Sequence, residues 1–290
     1  MSLAIAAARS FLFVPADRPE RFAKAQASGA DAVIIDLEDA VGDADKARAR
    51  ASLATHWAGL ERRERVLIRI NELDTRYGAD DVALCLALAP TAVVVPKARA
   101  ASLGLLAGAL PATGFMPLIE TATALGELDA IARHARTLRL ALGHLDLQAD
   151  LGMQCGEEEA ELAPARFALV VASRAAGRAP PVDGVTLETT DEARVLAATV
   201  RARRFGFTAR LCIHPRQVPA IHAGFAPTQA ELDWARRVLA ALDGAEDGGA
   251  IQVDGRMVDR PVVLIAQRLV ERYGSSTGLQ RPSRMTRETP

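Results

Sequence analysis

The sequence predicts a (β/α)8 TIM barrel followed by a carboxy-terminal helical lid extension, on three observations. Eight short β-type runs alternate with helix-length, Ala-rich segments dotted with charge before residue 216. The runs are continuously apolar rather than alternating, as strands covered on both faces require. No Gly-x-Gly-x-x-Gly turn follows the first run, so the main signature of a doubly wound nucleotide-binding sheet is missing.

The elements follow in order. Residues 10–14 form the first run. Asp17, Arg18 and Pro19 then start a helix, with proline at an early position where its missing N–H costs nothing, and Gly29 ends it. The second run covers residues 32–36 and leads into Leu37, Glu38 and Asp39; a helical segment begins at Lys46. Residues 66–71 and 91–96 form the third and fourth runs, the latter closing before Lys97. The fifth (115–120) and sixth (138–146) each finish on a carboxylate, Glu120 and Asp146, with one helix between them. A helix over 157–176 precedes Pro180-Pro181 and the seventh run, 182–188. Asp191 starts a helix towards Phe205, and the eighth run, 210–214, ends at His214.

The barrel is thus expected over residues 1–222 and the extension over 223–273, with a disordered Ser/Thr/Arg/Pro-rich tail over 274–290. Within the extension, an amphipathic helix (229–242) and a Gly-rich link (245–249) lead to a hairpin turn at Asp254-Gly255. A last helix covers 262–273.

Composition narrows the function. Half the residues are hydrophobic but only 4% are aromatic, which predicts a large aliphatic core. A net charge of −1, with no basic stripe broken by aromatics, argues against nucleic acid or an anionic membrane as principal partner. Cys85, Cys155 and Cys212 have no paired spacing, which argues against a disulfide framework and a zinc site; each reads as a small core hydrophobe. The amino terminus has no basic region ahead of its short apolar stretch, and no run approaches the roughly 20 apolar residues of a membrane span, so a cytoplasmic protein is expected.

Asp36, Glu38, Asp39, Arg69, Asn71, Lys97, Glu120, Asp146, Glu188 and His214 all stand at or near the carboxyl ends of the runs. In a barrel they meet around one mouth, where barrel enzymes carry their sites. On adjacent strands, Glu120 and Asp146 would be two hard oxygen ligands converging with few others, an arrangement that suits Mg²⁺ with positions left open for substrate and water. Taken alone, the same two residues read slightly better as a helix cap and the start of a turn. So many charged residues on one rim favours the site.

These segments resemble the citrate lyase β-subunit-like branch of the HpcH/HpaI aldolase superfamily, from about Arg9 to Tyr273. The resemblance rests on Arg9-Ser-Phe-Leu-Phe-Val-Pro-Ala-Asp-Arg-Pro19, Ser28-Gly-Ala-Asp-Ala-Val-Ile-Ile-Asp36-Leu-Glu-Asp-Ala-Val41, Arg69-Ile-Asn71 and Val95-Pro-Lys97. It continues through Leu118-Ile-Glu120, Gly143-His-Leu-Asp146, Ile213-His-Pro-Arg-Gln217 and Asp254-Gly-Arg-Met-Val-Asp259-Arg-Pro261, all in the expected order. It implies Mg²⁺ held by Glu120 and Asp146, an acyl-CoA thioester substrate and a homotrimer. The implied reaction is cleavage of a malyl-, citramalyl- or citryl-type thioester to an acetyl thioester and a 2-oxo acid.

Arg69 suits stabilisation of the enolate, because its planar fork carries a permanent charge. Asp36, Glu38 and Asp39 are expected to position it rather than bind metal. Arg69, Lys97, Glu120 and Asp146 are the expected substrate contacts. The resemblance also implies that Asp259 lies on a lid, reaches a neighbouring subunit's site and moves the proton at the thioester's α-carbon. The alternative is that Asp259 caps the last helix, with Pro261 at an early position.

Two departures bear on substrate. Leu145 precedes Asp146 where many relatives carry an acid, and Glu188-Thr189-Thr190 replaces a more acidic segment. His144 reads as either a carboxylate ligand or a structural histidine, and His214 as support for the mouth. Rival functions are a citrate lyase β subunit serving an acyl carrier protein, a malyl-CoA thioesterase, a thioester-free pyruvate aldolase and a catalytically inactive CoA-ester-binding barrel.

Overall fold

A computed structural model of the chain describes residues 3–243 and 251–273. Eight parallel strands close into a barrel: β1 (Ser10–Pro15), β2 (Ala32–Asp36), β3 (Val66–Arg69), β4 (Ala92–Val95), β5 (Gly114–Ile119), β6 (Ala141–Leu142), β7 (Val182–Asp183) and β8 (Ala209–Cys212). They pair in sequence order, and β1 pairs with β8, Phe11 opposite Leu211. Alternation along the strands produces two cores. Phe11, Ile34, Leu67, Val94, Met116 and Leu211 belong to the cluster that fills the barrel. Leu12, Val33, Ile35, Ile68, Val93 and Phe115 belong to the cluster that includes residues of the surrounding helices.

The structure keeps the eight runs in order but departs from the sequence expectation in several places. The sixth and seventh strands are only two residues each. Pro180 and Pro181 have no N–H to give the ladder, and β7 starts at Val182 as expected but ends at Asp183 rather than at residue 188. After Gly143 the chain turns at once into the helix His144–Leu151, which puts Asp146 in a helical first turn rather than on a strand. The helix expected from residue 157 starts later, at Ala163, after a short turn at Ala160–Leu162. A short amino-terminal helix, Leu3–Ala7, was not foreseen. Its Ile5 joins the inner core, and the buried Arg139 donates to the carbonyls of Ile5 and Ala8 at 3.2 and 2.7 Å.

The chain divides into two compact units, one ending at Phe225 and the other beginning at Ala226. In the second unit, the helices Gln229–Asp243 and Arg260–Tyr273 pack with a hairpin of β9 (Ile251–Val253) and β10 (Arg256–Val258) around Ala235, Val238, Val253, Val258 and Ala266. Asp254 and Gly255 turn the hairpin with φ of 53° and 74°, the left-handed pair that tight hairpins favour. The Gly-rich link and the tail expected to be disordered lie outside the described residues. Among the described residues, no helix is long and apolar enough to cross a membrane.

Candidate active site

At the carboxyl ends of the strands lies a cavity of about 330 Å³, lined by Asp36, Asp39, Arg69, Glu120 and Asp146 together with a group of apolar side chains. The inward-facing register explains why three of the polar groups meet there. Asp36, Arg69 and Glu120 each stand two residues beyond an inner-core residue of their strand, Ile34, Leu67 and Leu118.

Arg69 is held by carboxylates. Its Nε and Nη2 donate to the two oxygens of Asp36 at 2.7 and 2.5 Å, and Nη1 donates to Asp39 at 3.2 Å. Its guanidinium also stacks over the Phe13 ring, 4.8 Å from the centroid. Burial opposes its charge, but Asp36, Glu38 and Asp39 outweigh that and keep it protonated. Asp36, 1% exposed, also accepts from the main-chain N–H groups of Glu38 and Ala40 at 2.9 and 3.1 Å. Its oxygens are fully engaged, which places it behind Arg69.

Glu38 is buried, and its Oε2 lies 3.0 Å from Arg69 Nη1 without hydrogen-bond geometry, so that oxygen has no donor. Burial first, and then the charges of Asp39, Glu120 and Asp36, push its carboxyl up to about 8 despite Arg69. Lys46, not foreseen from sequence, anchors this segment: its buried ammonium donates to the carbonyls of Leu37 and Glu38, both at 2.8 Å. A lone lysine on a helix offers no signal of that role.

Glu120 is 4% exposed and accepts from the Lys97 N–H at 2.7 Å. The cap of the following helix, Ala122–Gly126, is Thr121, which accepts from the Ala124 N–H at 3.1 Å; Glu120 is therefore not the capping residue. Burial raises the Glu120 carboxyl to about 7, and the Asp146 charge adds to this, while the Lys97 N–H and Arg69 oppose it. Asp146 is exposed, in the first turn of its helix, where the helix dipole suits a carboxylate. Among the described residues, no group of three or more His, Cys, Asp or Glu is arranged to hold a metal, while Glu120 and Asp146 line the same cavity. The donor set fits a hard divalent ion. Five carboxylates crowd one guanidinium, and two of them are driven towards protonation in the absence of a further positive charge.

Other candidates are placed differently. Lys97 has a left-handed backbone (φ 41°), and its side chain pairs with Glu72 at 3.4 Å beside a separate small cleft; only its main-chain N–H reaches Glu120. Asn71 is a buried structural residue, donating from its side chain to Leu37 O and Asp81. His144 is buried against Gly184 and lines the mouth; burial pulls it below the usual histidine range, although Glu159 opposes this. Glu188 pairs with Arg194 at 3.2 Å, and His214 caps the turn Pro215–Gln217. Cys85 and Cys212 are buried, and burial raises both thiols. Asp259 lies in the second unit and accepts from the Val262 N–H at 3.3 Å, the geometry of a helix cap.

The family model described as HpcH/HpaI aldolase/citrate lyase matches residues 9–103 and 106–215. A citrate lyase subunit beta-like protein of Mycobacterium tuberculosis is 36% identical over 277 residues, 94% of this chain and 98% of that protein. A (3S)-malyl-CoA thioesterase of Cereibacter sphaeroides is 33% identical over 264 residues, 90% and 92% of the two chains. Among solved structures, the CitE protein of M. tuberculosis in complex with magnesium, acetoacetate and coenzyme A superposes with a TM-score of 0.83 at 36% identity, covering 93% of this chain and 99% of that one.

Proposed function

The chain belongs to the HpcH/HpaI aldolase/citrate lyase family, and from that premise we propose that it is a Mg²⁺-dependent carbon–carbon lyase. It cleaves a 3-hydroxyacyl-CoA of the malyl or citramalyl type to acetyl-CoA and a 2-oxo acid. The observation that carries this reading is the pair Glu120 and Asp146 facing one cavity beside a fixed guanidinium. Relatives crystallised with magnesium and with coenzyme A support the choice of ion and thioester.

Glu120 and Asp146 would hold Mg²⁺, which supplies Lewis acidity towards the substrate's hydroxyl and carboxylate oxygens. Arg69 faces the thioester oxygen with the N–H groups that Asp36 and Asp39 leave over, and stabilises the negative charge that collects there. Asp36 sets the plane of the guanidinium; Asp39 adds a second contact to it, and Lys46 holds the segment after β2 that carries Glu38 and Asp39. Lys97 contributes through its main-chain N–H, which orients Glu120. Asp259, donated by a neighbouring subunit of a homotrimer, delivers the proton to the α-carbon in cleavage and removes it in condensation.

A second reading is a malyl-CoA thioesterase, favoured by the Cereibacter sphaeroides relatives. One experiment separates the readings. Malyl-, citramalyl- and citryl-CoA, and citryl on an acyl carrier protein, are incubated with the enzyme with and without Mg²⁺. A lyase releases acetyl thioester and a 2-oxo acid; a thioesterase releases free thiol and the intact hydroxy acid. No turnover of any member with Mg²⁺ bound would leave a CoA-ester-binding barrel.

A further inference from the structure

The barrel carries a larger cavity, of about 630 Å³, at the end opposite the mouth. Thr91, Thr113, Leu138 and Arg178 line it and stand on the segments that lead into β4, β5, β6 and β7, so it opens at the amino ends of those strands. Its volume lies in the roughly 300–1,000 Å³ range of small-molecule sites. Pro90, Pro111, Ala112 and Leu138 give it an apolar wall.

The charge facing this cavity is of one sign. Its lining includes two guanidiniums, Arg136 and Arg178, both half-buried, and no acidic residue. Main-chain carbonyls hold them in place. Arg178 Nε donates to Ala132 O at 2.9 Å, and its Nη2 donates to the carbonyls of Arg133 and His134 at 3.1 and 3.0 Å. Arg136 Nη1 donates to Leu110 O. These bonds orient the planar forks without cancelling their charge. Arg50, Arg69 and Arg166, by contrast, each face carboxylates. Among the described residues, Arg178 Nη1 and Arg136 Nε and Nη2 have no protein acceptor, so donors on both forks remain for a ligand. His134, stacked on Phe115, registers the field: burial, and then the charges of Arg136 and Arg178, pull it below the usual histidine range.

Two fixed guanidiniums in an acid-free concavity concentrate positive potential, and the fork of arginine matches the oxygens of a phosphate. A carboxylate balances one of the two charges, whereas a phosphate monoester brings two on one compact group. Inorganic phosphate would leave most of the cavity, including its apolar wall, uncovered. We propose that this cavity is a binding site for an organic phosphate monoester, its dianion held by Arg136 and Arg178 and its organic part laid against Pro90, Pro111 and Leu138. The site lies apart from the carboxylate-rich mouth and needs no metal.

The test measures binding to the full-length protein by calorimetry with phenyl phosphate, inorganic phosphate and benzoate, each with and without Mg²⁺. Phenyl phosphate is expected to bind about tenfold or more tightly than either of the others, because benzoate lacks one charge and inorganic phosphate lacks the apolar part. Its affinity should be the same with and without Mg²⁺. Arg136→Gln should weaken it about tenfold or more, the scale of a lost charged hydrogen bond. Ala112→Asp should do the same: it brings a carboxylate to the cavity from an exposed position and leaves both arginines with their carbonyls. Thermal denaturation confirms that each variant is folded.

Benzoate or inorganic phosphate binding as tightly as phenyl phosphate would overturn the proposal. So would binding that requires Mg²⁺, which would place the anion at the mouth, or wild-type affinity in both folded variants. No binding of phenyl phosphate at millimolar concentration would end it outright.

Discussion

Gly143 lies directly against Glu120: a Cβ at position 143 would stand 2.6 Å from the Glu120 Cβ and closer still to its carboxylate. The glycine is needed for contact rather than for backbone conformation, since its φ of −92° is open to any residue. Gly143→Ala should therefore push the Glu120 carboxylate aside. The expected result is a loss of Mg²⁺ affinity of roughly 10–100-fold, the scale seen when a ligand's support is removed. Mg²⁺ titration by calorimetry, alongside turnover, checks it; wild-type affinity would show that Glu120 can shift without consequence.

The raised carboxyls make stability and metal binding depend on pH with a definite sign. Glu120 and Glu38 titrate near 7 and 8 in the folded protein and near 4.5 when unfolded. The native state therefore holds more protons between these values, and the metal-free protein loses stability as pH rises from about 4.5 through 7 to 8, with no further loss above. Below 4.5 both states are protonated and the penalty is absent. Mg²⁺ should reduce this loss, bind more tightly as pH rises from 6 to 8, and release protons on binding. Denaturation midpoints across pH, with and without Mg²⁺, test this. Glu120→Gln should reduce the metal-free slope up to pH 7 and leave the part due to Glu38.

Asp36→Asn separates orientation of Arg69 from its presence. Removing one partner of a buried pair costs roughly 3–5 kcal/mol, because the remaining charge is left uncompensated. Chemical denaturation should show a loss on that scale, tempered by the remaining contacts of Arg69 to Asp39 and Glu38. Turnover under folded conditions should fall further than Mg²⁺ affinity, because the metal carboxylates are untouched. Equal losses in both would place Asp36 in metal binding instead.

Asp259 has an observed role as a cap and a proposed role in proton transfer, and the two respond to different substitutions. Asparagine caps a helix about as well as aspartate, whereas alanine loses about 1 kcal/mol. Asp259→Asn should keep thermal stability and Mg²⁺ affinity while suppressing turnover by roughly 100-fold or more, in line with loss of a general acid–base group. Mixed oligomers of Asp259→Asn and Glu120→Ala chains should recover activity, since one class of site would pair an intact metal centre with an intact donor. Full activity in Asp259→Asn chains would end the lid assignment.

Much of the site was legible because strand ends in a barrel point to one mouth. Asp36, Arg69 and Glu120 follow inner-core residues by two positions, a relation readable once the strands are recognised. Asp146 was placed on the correct rim but on the wrong element, since nothing local announces that a two-residue strand will turn into a helix after Gly143. Lys97 reads from sequence as a substrate contact, whereas in the fold its main-chain N–H reaches Glu120 and its ammonium pairs with Glu72, the left-handed backbone aiming the chain rather than the side chain at Glu120.

The sequence by itself determined the βα alternation, the strands, and the residue types that meet at the mouth, because hydrophobic period and strand-end chemistry are local properties. Only the tertiary structure decided which of those residues share contacts. The Lys46 anchor ties a helix back to the strand end before it, and the Gly143 contact with Glu120 joins the ends of two adjacent strands. The physical reason is that burial and proximity, not residue type, raise the Glu120 and Glu38 carboxyls.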